Sequence, residues 1–472
     1  MTELETPTAG ISGDFPLARP TRTNVPRNRL KEPCDAFEIA QRMIEAAVMR
    51  VGKAAIIKSM FDGAPPYPAY NMRSGAQKWR SNFSTLEGQS ALSNGMTPFY
   101  DLMGSMSPLV EVELDTDDPR RDDWSRIAAT NFSRFFFDYP NLEQNYWQML
   151  YGFVGFNKGF LWWPVPGDPY FRNLPWHRVM FQDGTSTDPD EWEIFGVRQT
   201  FTVTKLWQMS GGGSSPYWNK DAVLSAIDRA QPHEPIASQA EQIDLQQMLR
   251  DSDLVLNARG DTIRTVSLFV KELSGKWSWH MVEEDAVSAY CNTPKSMRKE
   301  NPSYLLSALS LFDDATDVIA PFIYEVLDGS INSMGGLGRM ILSAMQAKDR
   351  LVNSFTDGAL MRAYPLFQAQ DASAMQRGGI VQLGPCHVVP PGMNVIQTNL
   401  LADIQGPLAV NDFLSNLTES NTAIFKARLE KPRGNPETAT SATLRHQNST
   451  VLTSSSVNRF YQQFKRFCDR CW

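Results

Sequence analysis

The chain has 472 residues, 42% hydrophobic and 21% charged, with a formal net charge of -7: a globular composition, long enough for two to four domains at roughly 150 residues each. Charge is uneven, with nine Lys/Arg against three Asp/Glu from Lys426 onward and 36 against 49 before it, which argues against a protein that coats DNA and permits local contact with it. Cys34, Cys291, Cys386, Cys468 and Cys471 are odd in number and scattered, which fits a reducing compartment and argues against a disulfide framework.

Residues 1–33 carry five prolines and no periodicity, so a flexible arm is expected. They lack the apolar core of a secretory signal, and Glu3, Glu5 and Asp14 stand where such a signal is basic. Asp35 to Met60 has helical apolar spacing through Phe37, Met43, Ile44, Val51 and Ala55, with Asp35 as N-cap and Gly63 past the end. Further helices are expected within 84–106, over 122–137 and over 141–156. From Gly159 to Met209 the pattern reads as strands, with turns at Pro166–Asp168, Asp183–Gly184 and Asp188–Asp190. Trp162 and Trp163 are expected in the core. Ser210–Ser215 is a loop, and 220–253 holds short helical pieces. Arg264–Val270 and Trp277–Glu283 form a hairpin over Ser274–Gly275.

A strand over 318–326 opens the last third. Gly335–Gly336 then breaks the chain before a helix whose face carries Leu337, Ile341, Ala344, Lys348 and Phe355. Short β runs are expected at Ile380–Leu383 and Cys386–Val389. A helix after Pro407 carries Leu408, Phe413 or Leu414, Leu417 and Ile424. Asn435 and Pro436 open a final helix with a partial stripe of Val451, Leu452, Val457, Phe460, Phe464 and Phe467. No apolar run approaches the ~20 residues of a membrane span.

Each candidate site also has a blander reading. Lys426, Arg428, Lys431 and Arg433 form a basic loop that suits phosphate contact, although a solvated loop has the same composition. Asp188, Asp190, Glu191 and Glu193 surround Trp192. Paired carboxylates can cleave sugars, but a Pro-containing turn favours exposed acids. His177, His233, His280, His387 and His446 share no ligand spacing, and Cys468 and Cys471 lack the second pair that zinc needs. Gly335–Gly338 lacks the phosphate-binding lysine, and there is no Gly-x-Ser-x-Gly elbow. Neither a catalytic residue, nor a metal, nor a cofactor is expected.

Pro436–Glu437–Thr438–Ala439–Thr440 with Arg445 is similar to the signature that opens the long helix of phage portal proteins, the head-to-tail connectors of short-tailed, podovirus-type bacteriophages. Glu437 and Ser441 depart from that signature. Gly336–Leu337–Gly338–Arg339 and Val389–Pro390–Pro391–Gly392–Met393–Asn394–Val395 also resemble the family. So do Trp79–Phe83, Pro98–Leu102 and Tyr151–Gly155. The resemblance covers about residues 65–467.

It implies an α+β subunit of a dodecameric ring around an axial channel. A wing would span 34–330, a first stem helix region 331–365, a clip 366–402 and a second stem helix 403–425. The channel loop would be 426–435 and the spine helix 436–472, with a crown short, absent or lost to truncation. It further implies that Lys426, Arg428, Lys431 and Arg433 face double-stranded DNA, and that the clip around Val389, Pro390, Pro391, Gly392 and Met393 meets partners. Those partners would be the terminase large subunit, major capsid and scaffolding proteins, and tail adaptor proteins. The place would be the virion's portal vertex after assembly in the host cytoplasm, without a membrane. The ATPase of packaging would belong to a partner. An oligomeric scaffold or adaptor without a DNA channel stands beside this reading.

Overall fold

A computed structural model describes residues 30, 32–66, 81–105, 110–112, 120–164, 170–213, 215–230, 262–294, 302–363, 366–369, 393–396, 410–415 and 456–471. Within these the chain is mixed α and β with antiparallel sheets, as expected of an α+β class. The helices are α1 (Pro33–Phe61), α2 (Glu87–Ser105), α3 (Arg121–Phe137), α4 (Leu142–Phe156), α5 (Val203–Met209), α6 (Lys220–Arg229), α7 (Glu284–Asn292), α8 (Gly336–Ala363), α9 (410–415) and α10 (456–471). The strands are β1 (Lys158–Trp162), β2 (Arg172–Asn173), β3 (Val179–Phe181), β4 (Ile194–Thr202), β5 (Thr262–Lys271), β6 (Trp277–Glu283), β7 (Leu306–Phe312), β8 (Ile319–Ile323), β9 (Leu366–Ala369) and β10 (Met393–Ile396).

Five strands form one sheet in the order β3-β4-β5-β6-β7. The expected hairpin over Ser274–Gly275 is its β5/β6 pair. Both faces are covered. Val266, Leu268 and Val270 point to a core shared with Ala40, Met43 and Ile44 of α1, while Phe269 points to one shared with Leu206, Val223 and Ala226. Strand alternation sends successive side chains to opposite faces, so a strand buried on both sides reads as a continuous apolar run. The sheet end is tied by Arg198, which grips Glu284 bidentately at 2.6 and 3.1 Å.

The second sheet has the order β2-β1-β8. Trp162 and Trp163 are both buried and enter different cores, as neighbouring residues of an extended segment must. The larger core joins α2, α3, α4, α8 and α10, and is dense in aromatic rings.

Two local expectations are corrected. Asp35 does not cap α1: the helix begins at Pro33 after Glu32, and Asp35 sits in its first turn. Proline's fixed φ suits the first helical position and starts the helix early. Val203–Met209 is not strand but α5, because the Thr202 side chain accepts from the Lys205 N–H and caps a new helix. Gly63 does lie past α1, at φ 71. Gln182–Thr185, around Asp183–Gly184, forms a turn. The turn expected at Pro166–Asp168 and the strands expected at Ile380–Leu383 and Cys386–Val389 lie outside the described residues.

Candidate functional site

Four stretches far apart in sequence meet in the larger core. Phe99 of α2 lies edge-on to Phe153 of α4 at 5.0 Å and to Phe460 of α10 at 5.3 Å. Tyr146 donates its hydroxyl to the Phe99 carbonyl at 2.9 Å. The start of α8 presses on the end of α4. Gly336 has φ 79, and a Cβ there would come within 2.7 Å of the Asn157 nitrogen and the Val154 carbonyl oxygen. Gly335 and Gly336 therefore make a close-packed entry into α8, which already holds Gly336–Gly338. Pro98–Leu102, Tyr151–Gly155, Gly336–Arg339 and the described end of the last helix thus form one hub. In that last helix Phe460, Phe464 and Phe467 are buried, and Val457 packs against the same core.

From the hub, α8 runs 28 residues, about 42 Å at 1.5 Å per residue. Leu337, Ile341, Ala344 and Lys348 are buried on it as expected, whereas Phe355 is only half-buried. A polar row follows. Asp349, Asn353 and Asp357 sit four residues apart and hold an extended segment at every second residue. Asp349 Oδ1 accepts from the Thr85 N–H at 2.9 Å, Asn353 Oδ1 from Phe83 N–H at 3.0 Å, and Asp357 Oδ1 from Ser81 N–H at 2.5 Å. Asn353 Nδ2 also donates to the Phe83 carbonyl at 2.7 Å. The two periods match: four helical residues rise about 6 Å and two extended residues about 6.6 Å.

Beyond α8, β9 pairs antiparallel with β10, Leu366 opposite Ile396 and Ala369 opposite Met393. The chain then returns to α8. Lys348 Nζ, on a buried residue, donates to Ser415 Oγ of α9 at 2.8 Å and pairs with Glu87 Oε1 at 2.6 Å. Phe413 is exposed, and Leu414 is half-buried. Leu408, Leu417 and Ile424 lie outside the described residues.

Lys426, Arg428, Lys431 and Arg433 lie outside the described residues too, as do Val389, Pro390, Pro391, Gly392, Asn435 and Pro436. Met393 opens β10. The acidic cluster is a 3-10 turn over Pro189–Glu191. Asp188 caps it by accepting from the Asp190 N–H, and pairs with Arg466 at 3.6 Å. Trp192 is fully buried and donates Nε1–H to the Ser186 carbonyl at 2.9 Å. Asp190, Glu191 and Glu193 are exposed, as turn chemistry suggested. His280 is buried against Tyr304, and burial lowers its pKa to about 4. Among the described residues no group of three or more His, Cys, Asp or Glu is arranged to hold a metal.

The outer edge of β8 is closed by α10. Pro321 has no N–H to offer, and Gln463 Oε1 accepts the Ile323 N–H at 3.0 Å. Beside this edge lies a cavity of about 200 Å³. Ala320, Pro321 and Val326 line its apolar side, and Arg459, Arg466 and Arg470 its basic side.

Sequence reading missed one buried cation. Lys158 begins β1, donates to the Ile331 carbonyl at 2.9 Å, and has no carboxylate partner among the described residues. Burial, reinforced by the nearby Arg50, lowers its pKa to about 7. Arg50 itself is tied to Asn332 and to the Phe181 carbonyl. The polar row 349–353–357 was visible as a spacing, but not its partner.

The chain matches no family model and no curated protein.

Proposed function

We propose that this chain is a portal-type ring subunit: a structural, non-enzymatic protein that lets double-stranded DNA pass in and out of a phage head. One observation carries the reading. A long helix runs on from the hub, a small antiparallel β pair follows it in sequence, and the chain meets the same helix again through Lys348 and Ser415. Helix out, β tip and helix back are the parts expected of a stem and clip. The final helix returns to the body core through Phe460, Phe464 and Phe467, as a spine helix would after a channel loop. The meeting of three family-like stretches at one hub, Pro98–Leu102, Tyr151–Gly155 and Gly336–Arg339, adds coherence to the resemblance.

In this reading the ring nucleates head assembly and docks the terminase large subunit. It later binds tail adaptor proteins and allows ejection. The basic loop meets the DNA backbone without reading sequence, as sliding requires. The test is the mass of the purified protein by light scattering, with electron microscopy of the same fraction. Closed rings with a central hole wide enough for duplex DNA are expected. A species that stays monomeric or dimeric would overturn the reading.

A further inference from the structure

The cysteine pair of the last helix is a sequence motif that the ring reading leaves unused. Cys468 and Cys471 stand three residues apart in the last turn of α10, which is helical over 456–471. Both thiols are free. Cys468 is 3% exposed and belongs to the larger core, and Cys471 packs half-buried against the same core. Residues three apart share one helical face. The two thiols also feel each other: burial, helped by the neighbouring Cys471 and Asp469, pushes the Cys468 thiol above its ordinary range.

The geometry is one small step from a bond. Cβ atoms three apart in an α-helix lie about 5–6 Å from each other, and a disulfide needs about 3.5–4.5 Å. Helix ends tighten readily into 3-10 turns, where residues i and i+3 eclipse. Such tightening stays local here. Arg470, between the cysteines, holds the turn to the body through Asp317 at 3.2 Å and over the Trp163 ring at 5.4 Å.

The surroundings favour a closed pair. A CxxC at a helix N-terminus has its thiolate stabilised, and its disulfide is readily reduced. This pair sits at the other end, where the dipole opposes a thiolate, and burial pushes the Cys471 thiol up to about 12. A disulfide carries no charge, so it suits the aromatic core better than a thiolate does. Thiolate is the attacking species, so closure is slow. Thiols of high pKa are also poor leaving groups, so a bond once made resists reduction.

We infer that Cys468 and Cys471 are a redox staple, which a small disulfide such as oxidised glutathione closes into a bond that fixes the last turn of α10 against the core. The Cys471 sulfur, the more exposed of the two, gives its proton to solvent and attacks one sulfur of the small disulfide. One glutathione leaves as its thiol. The Cys468 sulfur, losing its own proton, then attacks Cys471 in the mixed disulfide, and the second glutathione leaves. The pair gives up two protons and two electrons, and the small disulfide takes them as two thiols.

The test incubates the full chain with oxidised glutathione in mildly alkaline buffer, where more of each thiol ionises. Remaining thiols are capped with iodoacetamide, and tryptic peptides are mapped by mass. Cleavage after Arg466 and Arg470 separates Phe467–Arg470 from Cys471–Trp472, so the two travel together only when Cys468 and Cys471 are bonded. The linked pair is expected, lighter by two hydrogens than the reduced peptides together, and lost on adding dithiothreitol. Hydrogen exchange at Phe464 and Phe467 should slow on closure. Cys471→Ser, at a half-buried position, should fold, give no linked pair and show exchange that oxidant does not change. Peptides that stay separately capped, or glutathione that remains on Cys471, would overturn the staple. Linkage in urea but not in the folded chain would overturn it too, since the fold would then hold the thiols apart. So would closure that leaves exchange unchanged.

Discussion

Gly338 of α8 lies against Gly155 of α4, so closely that a Cβ on Gly338 would stand 2.7 Å from the Gly155 carbonyl oxygen. The same Cβ would collide with Ile57 of α1. Three helices therefore approach through one missing methyl group. Gly338→Ala should destabilise the chain by about 2 kcal/mol through overpacking. Gly52→Ala is the control: it lies inside α1 with nothing within 4 Å of the new Cβ, and should be neutral or stabilising by up to ~1 kcal/mol. Denaturant midpoints of the two variants should move in opposite directions; a shared direction would show that the crossing is loose.

Asn353→Ala should release the extended segment 81–86 from α8. Asn353 is fully buried and satisfies both the N–H and the carbonyl of Phe83. Their loss leaves two backbone groups without a partner, at about 1–3 kcal/mol each where water cannot reach. Hydrogen exchange of the Phe83 amide should rise in the variant. Unchanged protection would mean that the flanking Asp349 and Asp357 suffice.

Phe460→Ala should cost about 3–5 kcal/mol, the usual range for a buried phenyl ring. The ring touches Phe99, Phe153 and Phe322 at 5.1–5.5 Å, so the cavity would open where α10 enters the core. In the portal reading the loss also detaches the spine helix, and rings should fail at protein concentrations where the wild type assembles.

Lys158 makes stability depend on pH in a defined direction. Its folded pKa, about 7, lies below the ordinary 10.5, so between those values the unfolded chain binds the extra proton. Stability must then rise with pH across that window, by up to about 1.4 kcal/mol per unit. The penalty is complete below pH 7 and absent above 10.5. Lys158→Met should be more stable than wild type at pH 7, and in urea melts the gap should narrow steadily through pH 9–10 and close only above about 10.5. A gap that does not change with pH would mean that the ammonium is not held in a dry site.

Replacing Lys426, Arg428, Lys431 and Arg433 with Gln tests the proposed channel loop. Rings should still form, but DNA held in them should show a shallower dependence of binding on salt, because fewer counterions are released per phosphate contact. An unchanged slope would remove the loop from the DNA path and favour a scaffold without a channel.

Short-range pattern alone determined much of this protein. The α1 helix, the β5/β6 hairpin, the Gly335–Gly336 break and the apolar stripe through Phe460, Phe464 and Phe467 all follow from periods and turn residues within a dozen positions. Where a cap outweighed that pattern, as Thr202 does for Val203–Met209, the local reading failed. Tertiary structure alone decided which stretches meet. Phe460 lies some three hundred positions beyond Phe99 and Phe153, yet the three share one core. Asp349, Asn353 and Asp357 show their spacing in sequence but find their partner in residues 81–85. Lys158 became a buried cation only when β1 closed against Ile331. Periodicity tells which face of an element is apolar; which other face covers it depends on long-range packing, and that is where the burial of Lys158 and the arginine groove of α10 arise.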